Sequence, residues 1–373
     1  MSSLRLALVT ETYAPEVNGV AMTIGRLVEG FRALGHRVDI IRPRQDGEVP
    51  GTDMLLPGIS IPGYPELRLG LPAGNRLARH WRAQRPDIVH VVTEGPLGWS
   101  AVAAARRLGL PVTSGFHTNF DRYSSHYGLG LLRPAVAAYL RAFHRRTLST
   151  QVPTEALAAE LAGQGIPGVR VVGRGVDTRL FDPSRRSRAL RQDWDCDDGT
   201  LACLYVGRLA PEKNLDQVLH SYAAIRRRRP SVRMIWVGDG PAREQLETKH
   251  PEHHFAGMRC GEDLAGHYAS ADLFLFPSLT ETYGNVVAEA MASGLAVVAY
   301  KSAAAAELIN DCLNGRALPP GDGMSFTQAA VELALAEQTR AALGMRAREV
   351  ITEYSWERVT IRFEDVLREA IGA

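Results

Sequence analysis

Short runs of apolar residues recur along this chain at regular intervals, each followed by a longer segment with apolar residues at helical spacing. The first run, Leu4 to Val9, is continuous rather than alternating, as in a strand covered on both faces. A Gly- and Pro-containing loop over 10–20 leads into an amphipathic helix over 22–34, which Gly35 stops, and 38–41 returns as a strand. The spacing then predicts helices over 73–85, 97–108, 130–147 and 154–164, with strands over 88–92, 111–115, 149–152 and 169–172. Strands joined through helices cross over right-handed and lie parallel, so this half reads as one doubly wound α/β layer. The segment GRGVDTRLFDPSRR, from Gly173, is rich in Gly, Pro and charge and breaks the alternation as a linker. The alternation restarts with strands over 201–206, 232–237, 272–276 and 295–299 and helices over 214–228, 241–248 and 284–293; three helical stretches close the chain. The expectation is two similar α/β domains in tandem, divided near residue 175. Ligands of open α/β sheets bind outside the carboxyl ends of the strands, so the expected site is a cleft between two such domains.

Composition removes several classes. With 373 residues, 45% hydrophobic and 23% charged, the chain is an ordinary globular protein and long enough for two cores. It has no run of about 18 apolar residues to span a bilayer. The apolar stretch before Glu11 is too short for a secretory signal. Cys196, Cys203, Cys260 and Cys312 show no CxxC pairing, which fits free thiols in a reducing cytoplasm. His250, His253 and His254 flank Pro251 as a solvated loop rather than a metal site. The DxD of Asp195 and Asp197 precedes a strand instead of following one, so no metal is expected there. Val237-Gly-Asp-Gly-Pro is neither GxGxxG nor a P-loop. Arg226 to Arg229 complement a helix end, and no nucleic-acid partner is expected. The net charge of +2 hides an asymmetry: residues 1–175 carry 20 Arg, no Lys and 13 acids, a net +7, and the remainder carries 23 bases and 28 acids, a net −5.

The most informative stretch runs from Phe276 to Gly294, FPSLTETYGNVVAEAMASG. A helix starting near Gly284 presents the amides around Gly284, Asn285 and Val286, and its dipole and unpaired N–H groups both suit a phosphate. Glu281 precedes that helix and can reach past the phosphate, while Glu289 lies about one and a half turns in. Two carboxylates at different depths suit hydrogen bonds to two sets of hydroxyls; the plainer alternative is a helix-start charge and a surface residue. In GRLAPEKNL, Arg208 and Lys213 follow a strand and would neutralise a diphosphate leaving group, or else be solvated loop charges. Lys213 is one of three lysines in the chain. In the first half, Gly19 of EVNGV allows close backbone approach to a ligand or simply makes a turn. His117 of GFHTNF stands just past a strand, placed for polar contact with a hydroxyl, for proton transfer, or for a structural role.

Together, ETYGNVVAE with seven residues between Glu281 and Glu289, EAMASGLAVVA, GRLAPEKNL, EVNGV and GFHTNF resemble the retaining glycosyltransferases of family 4 over nearly the whole chain. RGVDTRLFDP is similar to that family's linker. The resemblance implies the GT-B fold: a Rossmann-like acceptor-side domain over 1–175, a Rossmann-like nucleotide-sugar domain over 176–355, and a last helix over 356–373 crossing back to the first. It implies that Arg208 and Lys213 contact the donor diphosphate, that Glu281 holds the transferred sugar and Glu289 the ribose, and that Tyr283 is among the donor-binding residues. Gly284 to Val286 would bind the phosphates with Gly19 approaching from the other domain, Gly257 and Met258 would read the base, and His117 would lie by the reacting face. No cofactor or metal is implied. Asn214 stands where the family commonly has glycine.

EVNGV, GFHTNF followed by Tyr123 and Tyr127, and ETYGNVV look like the lipid-directed branch of phosphatidylinositol mannosyl, mannosyl-diacylglycerol and sulfoquinovosyl transferases. Arg76, Arg79, Arg82 and Arg85, with Leu77, His80 and Trp81 among them, form a broad basic stripe. Arg133 to Arg146, with Leu140 and Phe143, forms another; both suit an anionic membrane surface or plain solvent. The expectation is transfer of a hexose from GDP-mannose or a UDP-sugar to a lipid on the inner face of the membrane. A soluble or polysaccharide acceptor stays open, as do a nucleotide-sugar epimerase and a silent sugar-nucleotide-binding subunit.

Overall fold

The computed structural model describes residues 2–14, 16, 18–45, 48, 51–61, 64–117 and 133–372. Thr118 to Phe120 of GFHTNF, Tyr123 and Tyr127 lie outside them. The chain divides into two compact units, one of residues 1–174 with 356–373 and one of residues 175–355.

The first unit is built on a parallel sheet of β1 (Arg5–Val9), β2 (Arg37–Pro43), β3 (Met54–Leu56), β6 (Ile88–Val91), β7 (Val112–Gly115), β8 (Thr150–Val152) and β9 (Val169–Val171), in the order β3-β2-β1-β6-β7-β8-β9. A separate antiparallel hairpin, β4 (Gly58–Ile61) and β5 (Tyr64–Gly70), lies between β3 and the helix Gly74–Ala83. The buried strand residues alternate between the two faces. Ala7, Val9, Val89 and Val91 pack with Leu77, Trp81 and Leu97 on one face, while Leu6, Leu8 and Ile88 pack with Ile24, Phe31 and Phe363 on the other. The second face is closed by the chain's last helix, Trp356–Gly372, which lies against helix Gly19–Ala33. The two helices approach closely at Gly30, where an added Cβ would stand 2.3 Å from Thr360 Oγ1.

The second unit has six parallel strands: β10 (Leu201–Val206), β11 (Val232–Val237), β12 (His254–Gly257), β13 (Leu273–Phe276), β14 (Ala296–Tyr300) and β15 (Arg316–Leu318), in the order β12-β11-β10-β13-β14-β15. β10 and β13 are the central pair, entirely buried apart from nothing wider than a sliver at Val206 and Phe276. The order reverses between them, so their carboxyl ends make the switch point at which such sheets hold ligands. The β4–β5 hairpin, β15 and the helix Gly261–Ser270 are additions to the elements expected from periodicity. The hairpin is crowded with Pro and Gly, β15 is three residues long, and the helix carries two glycines.

Candidate active site

The residues singled out in the second half gather at the carboxyl ends of β10 and β13. After β10 the chain passes Gly207 and Arg208 into a single 3-10 turn, Pro211–Lys213, and then helix Leu215–Arg228. Lys213 is mostly buried, and its Nζ donates to Glu281 Oε1 at 2.6 Å. Ser278 Oγ donates to the same oxygen at 2.7 Å. The lysine and the glutamate, read from sequence as separate contacts to a ligand, are therefore a pair before any ligand arrives. Arg208 Nη1 lies 3.4 Å from the buried carboxylate of Glu212. Each base thus has an acidic partner that holds its direction.

The loop after β11 braces this arrangement. Leu209 N donates to Asp239 O at 2.9 Å, and Ala242 N donates to Leu209 O at 2.9 Å. Gly238 takes φ +131°, and a Cβ there would stand 2.0 Å from Gly207 O. The GDGP segment, set aside as a cofactor motif, therefore has a tight backbone role beside Arg208. Gly238 N also donates to Gly257 O at 2.9 Å, which ties in the end of β12. Gly257 has φ +75°, and the next residue, Met258, is well exposed.

Helix Asn285–Ala292 begins after Gly284, whose left-handed φ of +88° and lack of a capping side chain leave the helix start open. The first-turn amides of Asn285 and Val286 have no intrahelical acceptor by construction, which makes this end suitable for an anion. Tyr283 beside it is buried, and its carbonyl accepts from Ala304 N at 2.7 Å. Glu289 is also buried, contrary to the surface alternative, and Tyr268 Oη donates to its Oε2 at 2.9 Å. Burial pushes the Glu289 carboxyl up to about 7, against the lowering effect of the tyrosine bond.

In the first unit, Gly19 opens helix Gly19–Ala33, but Asn18 Oδ1 already accepts from Val20 N at 3.1 Å and Ala21 N at 2.9 Å. That helix start is capped by its own chain, unlike the one at Gly284. His117 follows β7, with Nδ1 2.8 Å from Arg174 Nη2. Burial, together with Arg174, His90 and His144, holds the imidazole well below its ordinary pKa. Of the roles read for His117, polar contact suits a neutral ring; general-acid proton transfer does not.

The membrane-facing reading of the two basic helices needs correction, and so does the solvated reading of His253, which is buried. Leu77, Trp81, Leu140 and Phe143 are all buried in the core, so these four side chains do not face a membrane. The guanidinium-bearing Arg76, Arg79, Arg82 and Arg85 remain exposed. Asp197 is spent on its own turn, accepting from Gly199 N at 3.1 Å and from Thr200 Oγ1. His250, Glu252 and His253 bring potential ligand atoms within 4.8 Å of one another. Trp236 Nε1, however, donates to His253 Nδ1 at 3.2 Å, which puts the imidazole proton on Nε2, the atom facing Glu252. The donor set does not suit a metal.

Sequence reasoning missed Glu212, Tyr268, Ser278 and Arg174. Only Glu212 carried a signal, its i+4 spacing from Arg208.

Two doubly wound parallel units, the second with paired bases and carboxylates at its switch point, define a glycosyltransferase of the GT-B fold. HepE of Anabaena, solved with UDP, superposes with a TM-score of 0.78 at 18% identity, covering 98% of this chain and 100% of that one. The model for Glycosyltransferase Family 4 matches residues 17–180, and that for Glycosyl transferases group 1 matches residues 200–335. A GDP-mannose-dependent alpha-mannosyltransferase of Mycobacterium tuberculosis is 35% identical over 364 residues, 95% of this chain and 94% of that protein. An alpha-monoglucosyldiacylglycerol synthase of Streptococcus pneumoniae is 27% identical over 332 residues, 84% of this chain and 74% of that protein. The chain belongs to glycosyltransferase family 4.

Proposed function

We propose that this chain transfers mannose from GDP-mannose, with retention at the anomeric carbon, to a lipid acceptor at the cytoplasmic membrane surface. The observation that carries the donor is the near full-length similarity to a GDP-mannose-dependent alpha-mannosyltransferase. The similarity to a diacylglycerol glycoside synthase supports the lipid acceptor. No helix among the described residues is long and apolar enough to cross a membrane. The exposed Arg76, Arg79, Arg82 and Arg85 give attachment to the surface an electrostatic contribution.

In this reading the donor diphosphate lies against the amides of Asn285 and Val286, with Arg208 and Lys213 beside its oxygens. Glu281 and Tyr283 position the hexose, Glu289 takes the ribose hydroxyls, and Gly257 and Met258 flank the base; in the first unit, His117 is a polar contact for substrate. The bond from the anomeric carbon to the phosphate oxygen breaks as the acceptor oxygen bonds to that carbon on the same face. The acceptor proton leaves with the diphosphate. Lys213 and Arg208 stabilise the charge that develops on the leaving group, and no metal or cofactor is needed.

The test is transfer from radiolabelled GDP-mannose, with UDP-glucose as the competing donor, to diacylglycerol glycosides and phosphatidylinositol in anionic or neutral vesicles. Product is expected with GDP-mannose, faster on anionic vesicles and slowed by salt. Lys213→Ala should lower kcat on the order of 100-fold with the fold retained. Full activity in that variant, or transfer from UDP-glucose alone, would overturn the assignment.

A further inference from the structure

Two side chains distant in sequence meet beside the carboxyl end of β7. Arg174, 57 positions after His117, is buried, and its Nη2 lies 2.8 Å from His117 Nδ1. A guanidinium has donors and no acceptor, so the imidazole must present a lone pair at Nδ1. A neutral ring bonded this way carries its one proton on Nε2. That Nε2 is buried and has no hydrogen-bond partner. It is tucked over Gly115, where a Cβ would stand only 2.2 Å away. An N–H that is buried and unpaired costs stability, and a ligand oxygen would complete it. The charged or titratable groups acting on the ring are Arg174, His90 on β6 and His144 at the end of helix Arg133–His144. All three oppose a second proton on it.

We propose that Arg174 is a positioning residue that locks His117 in the Nε2–H tautomer, so that His117 can serve a substrate only as a hydrogen-bond donor and cannot act as a base. The proposal rests on the reading of His117 as a substrate contact. It assigns a chemical role to a residue that sits in what reads as a linker, GRGVD. It also leaves the acceptor proton no destination on His117, in keeping with its departure on the diphosphate. A lysine at 174 could still donate to Nδ1, whereas a methionine could not. The two substitutions therefore separate the donor role from simple packing.

The tautomer is read directly by long-range proton–nitrogen NMR of the protein labelled at histidine. Wild type should show His117 neutral and protonated at Nε2 from about pH 5.5 to 8. Arg174→Lys should keep that pattern and most of the activity. In Arg174→Met, His117 should populate both tautomers, while burial still holds the ring neutral over that range. The kcat of that variant should fall across the whole pH range, with the donor KM little changed. An imidazolium or an Nδ1–H tautomer in wild type would overturn the proposal, as would an unaltered His117 spectrum in Arg174→Met. If Arg174→Met does not fold, wild type and Arg174→Lys still decide the tautomer. Full activity in His117→Ala would instead refute the substrate-contact reading, while the NMR result would stand as the measure of what Arg174 does.

Discussion

Glu289 shows how far a side chain's chemistry depends on what surrounds it. Its position one and a half turns into a helix after Gly284 was legible from spacing, and so was its capacity to bond hydroxyls. Its burial and its bond from Tyr268 were not, because the tyrosine lies 21 residues away and is delivered by the helix Gly261–Ser270. Unfolded, this carboxyl titrates near 4.5; folded, it titrates near 7. Between those values the folded state holds the additional proton. The neutral form therefore favours folding most below about pH 4.5, and that contribution fades as pH rises to about 7, by on the order of 3 kcal/mol. Glu289→Gln, which stays neutral, should lose this part of the pH dependence. Urea unfolding of both proteins from pH 4.5 to 8 measures it, and parallel curves would contradict the burial argument. Lys213 and Glu281 carry the same lesson. Each was identifiable alone, but their 2.6 Å pairing joins two loops 68 positions apart.

Asn214 was the one departure noticed in the basic loop, and the backbone accounts for it. It ends the turn Pro211–Lys213 in the left-handed conformation, φ 56° and ψ 44°, the region glycine favours and asparagine tolerates better than most residues. Its Nδ2 also donates to Pro277 O at 3.3 Å, tying the loop after β10 to the loop after β13. Asn214→Gly should keep the backbone and lose only the tether. Asn214→Ala should lose both and be less stable by about 1 kcal/mol or more, with a larger fall in kcat as Lys213 shifts. Thermal unfolding and turnover of the two variants give the order; Ala equal to Gly would remove the backbone explanation. Long periodic helices and continuous apolar strands announced themselves, and β10 and β11 begin and end where their apolar runs do. β15 did not, since so short a strand is held by its neighbours rather than by its own pattern, and the β4–β5 hairpin was obscured by its prolines and glycines.

The first unit draws its core from two separated stretches of chain. Phe363 of the last helix is 1% exposed and meets Phe31 edge-on at a centroid distance of 5.7 Å and His90 at 5.3 Å. Phe363→Ala should cost about 3 kcal/mol or more through the cavity it leaves. Hydrogen exchange should then quicken in Gly19–Ala33 and β6 while β10 keeps its protection. Faster exchange in β10 instead would show that the helix serves the other core. The charge asymmetry belongs here too. Arg76, Arg79, Arg82 and Arg85 stay outside while Leu77 and Trp81 between them went to the core, so a helix that looks amphipathic toward a membrane is amphipathic toward its own sheet. Periodicity, turn residues and the spacing of Glu281, Glu289, Arg208 and Lys213 were written locally, which is why the parallel α/β class, the family and most of the proposed donor contacts could be read from the chain. Which carboxylate is buried, which base is already paired, and which nitrogen of His117 holds the proton depend on partners tens of residues away. Desolvation and hydrogen-bond direction settle those questions, and both come into being when the sheets pack.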